Sequence, residues 1–399
     1  MKTREVKLGE VANVKGGKRI PKGIGLINIP NGHPYIRVRD LNNKRLLELD
    51  NSYEYVDNET QKVISKYTVK TGDVVLSIVG TIGLVAIVGR TLDGANLTEN
   101  CVKLSSFHGV NRDFLYYYLR SDCGQQEIRC GTVGAVQAKL PIKNIQNIAS
   151  NLPDYTTQER IVSLLLSIDR KIELNQKIND NLEQQAVTYF QELYINNANP
   201  MWQIGTISDL GTVVGGSTPS KTKPEYYTNN GIAWITPKDL SINKSKFISH
   251  GENDITELGL KNSSATVMPK GTVLFSSRAP IGYIAIASNE VTTNQGFKSV
   301  VPYLEIGTAF VYFFLKHSLP VIESAASGST FKEISGSAMK NIPAIIPDRS
   351  TLDQFNSFCA PIFAQQKILE DQNYSLAMLR DSLLPKLMSG AIDIASIQL

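Results

Sequence analysis

Two loops in this 399-residue chain place basic and hydroxyl side chains directly after a pair of glycines. Gly16-Gly17 precedes Lys18 and Arg19. The second pair, Gly215-Gly216, precedes a run that contains Ser217, Thr218, Ser220 and Lys221. Glycine lets the backbone come close to another group, and amides at such a turn can face a phosphate. The two loops therefore predict contacts with a phosphate-bearing ligand such as duplex DNA.

Further side chains suited to reading bases or binding phosphates lie outside these loops. Arginine is the best bidentate reader of guanine, glutamine suits adenine and lysine suits phosphate. In the first half of the chain the candidates are Arg37 and Arg39 in a β-like segment, with Gln137 and Lys139 farther on. In the second half they are Lys238, Arg278, Thr330 and Lys332; Arg278 is the only arginine in residues 200–347. The alternative for each is a solvated surface side chain.

Motifs for catalysis and cofactor binding are missing. The chain has no GxxxxGK[ST], GxGxxG, HExxH or GxSxG motif, and its four histidines are scattered. Residues 151–155, NLPDY, faintly resemble the NPPY motif of amino-methyltransferases, but they are interpreted as a loop. Asp40 and Asp239 each follow a basic residue and are expected to hold a turn. No catalytic site, metal site or bound cofactor is predicted.

The two loops belong to an internal repeat that covers nearly the whole chain. At a single offset of 199 residues, KLGEVANVKGG matches TISDLGTVVGG, YIRVRDL matches WITPKDL, and GDVVLSIVGTIGLVAI matches GTVLFSSRAPIGYIAI. Later segments match at offsets of 194–197. A duplicated unit generates a pseudo-two-fold molecule, and duplex DNA is the commonest pseudo-two-fold target. The repeat therefore favours two similar DNA-binding domains.

Composition and charge are those of a folded protein with room for two or three domains. Hydrophobic residues make up 42% and charged residues 20% of the chain. Basic residues are in excess in residues 1–153 and 200–347, whereas acidic residues are in excess in 154–199 and 348–399. With no signal peptide and no run of eighteen apolar residues, we expect a cytoplasmic protein without a membrane span. The four cysteines are expected to be reduced and mostly buried.

The large segments are predicted to be mixed and β-rich. Short apolar runs bounded by glycine or aspartate, at 74–80, 84–89, 272–277 and 283–287, are typical of strands. An aromatic segment in each repeat, at 113–121 and 309–318, is typical of a short helix. Its matched aromatics, Phe114 with Phe310 and Tyr118 with Phe314, are expected in the core.

The connecting segments have the pattern of long helices. Thr156 and Glu159 form a capping box, and the first helix is expected to end within residues 196–200. Pro385 is expected to kink or end the second helix. Each helix would span about 50–60 Å and hold the domains apart. Apolar and small side chains recur every three or four residues along a seam that includes Ile161, Leu165, Ile168, Ile172, Asn179, Leu182, Ile362, Leu369, Asn373, Leu376 and Leu383.

Polar residues interrupt both seams, so each helix is expected to need the other as an antiparallel partner. Asn179 and Asn373 are equivalent under the repeat. We expect these two to meet and to fix the register of the pair, since a buried asparagine pair lowers stability but specifies alignment. The alternative is that both are solvated.

The order of these parts resembles the specificity subunits of type I restriction-modification systems. The resemblance covers essentially the whole chain and rests on GGSTPSKTKPEYYTNNGIAWITPKDL (215–240), RAPIGYIAIA (278–287), TNQGFKSV (293–300) and LRDSLLPKLMSG (379–390). It implies an α+β fold with two pseudo-two-fold-related, β-rich target recognition domains, at 1–153 and 200–347. Two long antiparallel coiled-coil helices, at 154–199 and 348–399, would separate them. The first repeat departs from the pattern, with GGKRIPKG (16–23) in place of a GGSTP-like loop.

The resemblance also implies a function and a set of partners. The chain would be a non-catalytic subunit that binds a split double-stranded DNA site, one half per domain. Two methyltransferase subunits carrying S-adenosylmethionine would dock on it and methylate adenine N6. Two ATP- and Mg-dependent motor-nuclease subunits could join them. The alternatives are a methylation-only system, a coiled-coil scaffold that binds only protein, and a fused methyltransferase, against which the missing cofactor loop argues.

Overall fold

The computed structural model describes residues 3–41, 45–328 and 332–394. The chain divides into two compact units. The first unit comprises Met1–Lys171 with Leu376–Leu399, and the second comprises Ile172–Ser375. Each unit therefore contains one repeat together with a part of both long helices.

The first unit holds three antiparallel or mixed sheets. Alternating and fully buried apolar residues, such as Val74, Val75 and Leu76, form its strands. The central five-stranded sheet has the order β2-β9-β6-β7-β4, a three-stranded sheet has the order β5-β3-β8, and β1 pairs with β10. The strands are β1 Thr3–Lys7, β2 Asn13–Gly16, β3 Pro34–Ile36, β4 Leu46–Leu47, β5 Glu54–Tyr55, β6 Val74–Ser77, β7 Val85–Val88, β8 Asn96–Leu97, β9 Cys101–Ser105 and β10 Ala149–Pro153.

The second unit repeats this plan with one additional strand. Its five-stranded sheet has the order β12-β20-β17-β18-β15, its four-stranded sheet has the order β13-β16-β14-β19, and β11 pairs with β21. The parallel pair β15 and β18 corresponds to the parallel pair β4 and β7. The strands are β11 Gln203–Thr206, β12 Gly211–Gly215, β13 Tyr227–Thr228, β14 Ile232–Ile235, β15 Phe247–Ile248, β16 Asn253–Ile255, β17 Val273–Ser277, β18 Ile281–Ala287, β19 Thr292–Thr293, β20 Lys298–Pro302 and β21 Pro343–Ile346.

Short helices cover these sheets. The two predicted aromatic helices are confirmed as Arg112–Arg120 (α3) and Thr308–His317 (α9), and their matched aromatic residues Phe114, Tyr118, Phe310 and Phe314 are buried in the cores of their units. The helices are α1 Leu8–Val11, α2 Asn58–Ile64, α3 Arg112–Arg120, α4 Asp122–Gly131, α5 Ile142–Gln146, α6 Tyr155–Gln191, α7 Pro237–Ile242, α8 Glu257–Lys261, α9 Thr308–His317, α10 Leu319–Ser324, α11 Gly336–Lys340 and α12 Arg349–Met388. Short 3-10 turns lie at Val38–Leu41, Arg90–Leu92, Ile207–Asp209 and Pro224–Tyr226.

Within each unit the long helices α6 and α12 run antiparallel and share the hydrophobic core. In the first unit, Ile161 and Leu165 of α6 join a core cluster with Leu384 and Leu387 of α12. In the second, Ala186 and Phe190 of α6 join a cluster with Phe355, Cys359 and Ile362 of α12. Among the remaining seam residues, Ile168 and Leu369 are buried, whereas the following are half-buried: Ile172, Asn179, Leu182, Asn373, Leu376 and Leu383. Both units combine β-sheets with helices, which confirms the predicted α+β fold.

The predicted pairing of Asn179 with Asn373 is wrong. Asn373 Oδ1 instead accepts a hydrogen bond of 2.9 Å from the side-chain amide of Asn175, which is fully buried. The backbone carbonyl of Asn179 accepts from Gln366 Nε2 at 3.1 Å. The antiparallel register is therefore shifted by one helical turn from the predicted one, because the asparagine that enters the seam is the one a turn earlier on α6.

The ends of the long helices also differ in part from the prediction. Asp154 caps α6, since its carboxylate accepts from the backbone amide of Thr157 at 3.0 Å. Thr156 consequently lies inside the first turn of the helix, and the predicted capping box of Thr156 and Glu159 is wrong. At the other end, α6 continues into a π-helical turn, Glu192–Asn196, so that the helical segment ends at the start of the predicted 196–200 region.

The second long helix does not end at Pro385. It runs to Met388, because Leu384, Leu387 and Met388 are buried in the core of the first unit and hold the last turn in place. Among the free cysteines, Cys101 and Cys359 are buried, but Cys123 and Cys130 are exposed. The expectation of mostly buried thiols is therefore wrong for two of the four.

Candidate nucleic-acid interface

The second glycine of each pair packs closely against backbone at the end of a strand of its own unit. A Cβ on Gly17 would lie 2.1 Å from the carbonyl oxygen of Thr98, and one on Gly216 would lie 2.0 Å from that of Asn294. The amide of Gly17 donates to Cys101 O at 3.0 Å, and that of Ser217 donates to Thr293 O at 2.8 Å. These amides are thus used within the protein, and the prediction that they face a phosphate is wrong.

The side chains after the glycine pairs differ in solvent exposure and in their contacts within the protein. Lys18 and Arg19 are exposed, and Arg19 Nε lies 3.4 Å from Glu99 Oε1 with 82% of its side chain accessible. In the second unit the Thr218 hydroxyl donates to Gln295. Ser220 and Thr222 share a hydrogen bond of 2.8 Å. Lys221 is exposed and forms no ion pair with another described residue, so it is the most available cation of this loop.

The close approach at the second glycine gives a direct test of the loop packing. We expect Gly216→Ala to lower the free energy of unfolding by about 1–3 kcal/mol, because the new methyl group overlaps a backbone carbonyl. Gly215→Ala is the matched control. Nothing lies within 4 Å of a Cβ at Gly215, so its effect should stay within about 0.5 kcal/mol. Urea midpoints of the two variants check this, and equal midpoints would contradict the packing.

Arg37 and Arg39 lie in a turn, which corrects the prediction of a β-like segment. Strand β3 ends at Ile36, and Val38–Leu41 form a 3-10 turn because Asp40 Oδ2 accepts from the backbone amide of Arg37 at 2.7 Å. Both guanidinium groups pair with Glu54; the distance from Arg39 Nη2 is 2.6 Å. Arg39 keeps 57% of its side chain accessible but Arg37 only 23%. Arg39 is therefore the better placed for an external ligand.

A cavity in the first unit brings Arg19, Arg37 and Arg39 together. Its volume is about 670 Å³. Lys22, a cation that the sequence reasoning missed, also lines this basic cleft, and Glu99 is its acidic wall. Gln137 and Lys139 do not line the cleft.

The carboxyl group of Asp40 is buried beside the two arginines, and its burial raises its pKa. Burial is the largest cause and raises the pKa to about 6 from 3.8, while Arg39 acts in the opposite direction. Asp239 of the second unit has the equivalent structural role, since its carboxylate accepts from the amide of Thr236 at 2.7 Å and from that of Glu252 at 2.8 Å. The expectation that both aspartates hold turns is confirmed.

The raised pKa of Asp40 predicts a pH dependence of stability. Because the folded-state pKa lies above the unfolded one, the stabilisation from this group is complete below pH 3.8 and is lost as the pH rises through 6. Asp40→Asn can still accept the Arg37 amide but cannot ionise. We therefore expect the Tm of the wild type relative to this variant to fall between pH 4 and pH 7. A Tm difference that does not change with pH would contradict this.

The third set of predicted residues lies on a small hairpin in each unit. In the first unit, Val133 and Lys139 exchange backbone hydrogen bonds of 2.8 and 2.9 Å, and Lys139 also bridges Val79. Gln137 is exposed near the tip of this hairpin. In the second unit, Ser327 and Glu333 form the same pair of bonds. Lys332 is exposed, whereas Thr330 lies outside the described residues.

The equivalent hairpins carry opposite charges at one position. Glu333 takes the place of Lys139, and its backbone bridges Arg278 as that of Lys139 bridges Val79. Its carboxylate lies 3.3 Å from Arg278 Nη1 and 3.8 Å from Lys298 Nζ. Glu333 thus holds Arg278 beside the hairpin, with 36% of the arginine side chain accessible. The repeat offset could have revealed Glu333, because it aligns this acidic residue with Lys139, which was predicted to bind a phosphate.

Lys238 is exposed but already forms an ion pair within the protein. Its Nζ lies 2.5 Å from Glu252 Oε2 on an exposed surface, and the hydrogen bond with Glu252 raises the pKa of Lys238. In the described part of the chain, no group of three or more His, Cys, Asp and Glu side chains is arranged to hold a metal ion.

Comparison with known families decides what these paired surfaces belong to. The profile of the type I restriction modification DNA specificity domain matches the chain twice, over residues 2–184 and 199–371. The chain belongs to this family. Each match covers one repeat and the greater part of the helix that follows it. The family is one of DNA-specificity domains, which supports a non-catalytic chain.

Two curated specificity subunits illustrate the relationship. The chain is 43% identical over 162 residues to the specificity subunit of the type I restriction enzyme MjaIX of Methanocaldococcus jannaschii. This match covers 40% of the chain and only 37% of that subunit. It is 23% identical over 341 residues to the HindI specificity subunit of Haemophilus influenzae, covering 67% of the chain and 73% of the relative.

A solved structure shares the fold. The type I restriction-modification S subunit of M. genitalium superposes with a TM-score of 0.54 over 97% of this chain and 96% of the other, at 16% sequence identity. The two chains therefore share the architecture although most of their aligned side chains differ. None of the described helices of the present chain has the length and apolarity needed to cross a bilayer.

Proposed function

We propose that this chain is the DNA-binding specificity subunit of a type I restriction-modification complex, and that each repeat recognises one half of a bipartite site. The observation that carries the proposal is the double match to the DNA specificity domain, once on each repeat. A duplicated reader fits a split target because duplex DNA presents equivalent grooves to two equivalent surfaces.

The surface chemistry of both units supports the proposal. The first unit has a basic cleft lined by Arg19, Arg37 and Arg39. The second exposes Lys221 and holds Arg278 next to an exposed hairpin. Cations of this kind neutralise backbone phosphates, and arginine can in addition read guanine. We propose that these side chains and the other candidate base and phosphate contacts of both repeats bind the DNA. The recognition domains would then lie at 1–153 and 200–347.

The partners follow from the same proposal. Two methyltransferase subunits would bind S-adenosylmethionine and modify one adenine in each half-site, so that the chemistry takes place outside this chain. Two motor-nuclease subunits, which use ATP and Mg, could complete a restriction complex. A complex in the cytoplasm would have direct access to genomic DNA.

A methyl-transfer assay with purified components tests the proposal. The chain is co-expressed with a type I methyltransferase subunit from the same genome, and transfer of labelled methyl groups from S-adenosylmethionine to plasmid DNA is measured. We expect transfer only when both proteins are present. Transfer by the chain alone would identify a fused methyltransferase, and full transfer by the partner alone would show that no specificity subunit is needed.

The same preparation distinguishes a restriction complex from a methylation-only system and from a protein-binding scaffold. A methylation-only system gives identical transfer, but addition of a motor-nuclease subunit and ATP produces no cleavage of unmethylated DNA. A scaffold that binds only protein would co-purify with the partner without changing where the DNA is methylated.

A further inference from the structure

A pocket in the first unit is lined by three lysines that are not among the predicted DNA contacts. Lys15, Lys66, Tyr67 and Lys103 surround a cavity of about 260 Å³ next to Gly16. Lys18, from the adjoining glycine loop, places its Nζ 5.6 Å from the centre of the Tyr67 ring. These five residues are called the lysine pocket below.

The charges of the lysine pocket are only partly neutralised within the protein. Lys15 and Lys103 face each other directly across the antiparallel strands β2 and β9, an arrangement in which like charges destabilise a sheet. Asp73 Oδ2 lies 3.0 Å from Lys103 Nζ and neutralises that side chain. Lys15 and Lys66 are exposed and form no ion pair with any other described residue. A further anion would therefore relieve the repulsion.

The fold itself does not require these lysines, because the second unit has the same backbone without them. The amide of Val69 donates to Ala95 O at 2.8 Å, and the equivalent amide of Met268 donates to Val291 O at 2.8 Å. The cross-strand partner of Val214 is Ser299, as that of Lys15 is Lys103. The residues that correspond to the lysine pocket are all uncharged: Val214, Ser217, Ala265, Thr266 and Ser299.

We infer that the lysine pocket binds a phosphate of the DNA backbone and that it anchors the first unit alone. The inference rests on the proposed function. The side chains of Lys15, Lys66 and Lys103, which line the cavity, each end in an ammonium group that can donate hydrogen bonds to a phosphate, and the cavity is large enough to admit one. Lys18, next to Tyr67, joins the pocket to the glycine loop. The anchor binds every sequence equally, because a phosphate carries no base information.

The test measures DNA affinity of the complex with its methyltransferase partner as a function of salt. Lys15→Gln/Lys66→Gln is compared with Lys62→Gln/Lys261→Gln, which removes the same charge from two exposed lysines outside the pocket. We expect the pocket variant to bind specific and non-specific duplexes alike about 3–10-fold more weakly. The slope of log affinity against log salt concentration should become shallower by roughly 0.9 for the lost phosphate contact. The control variant should keep the wild-type slope.

An unchanged slope in the pocket variant would overturn the inference, and so would a loss confined to one DNA sequence. Titration of the complex with inorganic phosphate separates the two sources of the ligand. Binding of free phosphate that the pocket variant loses, together with an unchanged DNA slope, would assign the pocket to a free anion and contradict the inference. If the wild-type complex shows no preferred sequence, the proposed function fails, while the slope on non-specific DNA still tests the pocket.

Discussion

We expect Lys246→Met to lower the free energy of unfolding by about 3–5 kcal/mol, since it leaves a buried carboxylate without its main partner. Only 6% of the Lys246 side chain is accessible. Its ammonium group pairs with Glu183 of α6, donates to Gln366 of α12 at 2.6 Å and lies 4.2 Å from the centre of the Phe363 ring. The residue thus connects the start of β15 to both long helices within the second unit.

The pKa directions agree with this role. Burial, the largest influence, lowers the pKa of Lys246, and Glu183 opposes it. Burial also acts to raise the pKa of Glu183, but Lys246 and Lys316 together outweigh it and keep the pKa of this carboxyl below its usual value. The lowered pKa of Glu183 favours its ionised form, and removal of the lysine leaves this carboxylate with only 22% of its side chain accessible.

Lys316→Met is the matched control. Lys316 pairs with the same carboxylate at 2.6 Å, but 38% of its side chain is accessible. We expect a loss below about 1 kcal/mol, as for other solvent-exposed pairs. Denaturant unfolding of both variants checks the difference, and Lys246→Met/Glu183→Leu should recover part of the stability because it removes the orphaned charge. Similar small losses for both single variants would contradict a buried ion pair.

Arg278→Ala should weaken binding at one half-site by about 1–3 kcal/mol if the arginine reads a base. The guanidinium group lies beside Glu333 at 3.3 Å, and this contact orients it next to the exposed hairpin of the second unit. Glu333→Gln keeps the shape but loses the charge, and we expect a smaller loss at the same half-site. Lys270→Ala, at an exposed turn in the same unit, serves as the control for lost positive charge.

Competition binding with duplexes substituted at single positions of each half-site separates the outcomes for Arg278. A loss limited to one position indicates base reading. An equal loss on all duplexes would mean that the arginine contacts a phosphate, and no loss would remove it from the contacts. A loss at the other half-site would contradict the assignment of one half-site to each repeat.

Most of the fold could be predicted from the internal repeat of the sequence. Its single offset relates β6 and β7 to β17 and β18, and the strand orders of the two five-stranded sheets are the same. The three-and-four spacing of apolar residues located both long helices, and the burial of Ile161, Leu165 and Phe355 follows from it. These features were predictable because they depend on periodicity, which is local and survives duplication.

The predictions that were wrong concern contacts between residues that lie far apart in the chain. The amides of Gly17 and Ser217 donate to the carbonyl oxygens of Cys101 and Thr293, some 80 residues away, and no local pattern reveals this. Arg37 is held by Glu54, and Asn373 meets Asn175 instead of Asn179 because core packing sets the helix register. The lysine pocket is also assembled across strands. Its residues look like unrelated surface lysines until the sheet register brings Lys15 opposite Lys103.

Mapping of N6-methyladenine in genomic DNA from cells with and without this gene, in the presence of the methyltransferase partner, tests the central proposal most directly. The account predicts a gene-dependent methylated motif made of two short half-sites separated by a fixed gap. A gene-dependent motif that is continuous, or methylation that is the same with and without the gene, would contradict recognition of a split site by the two repeats.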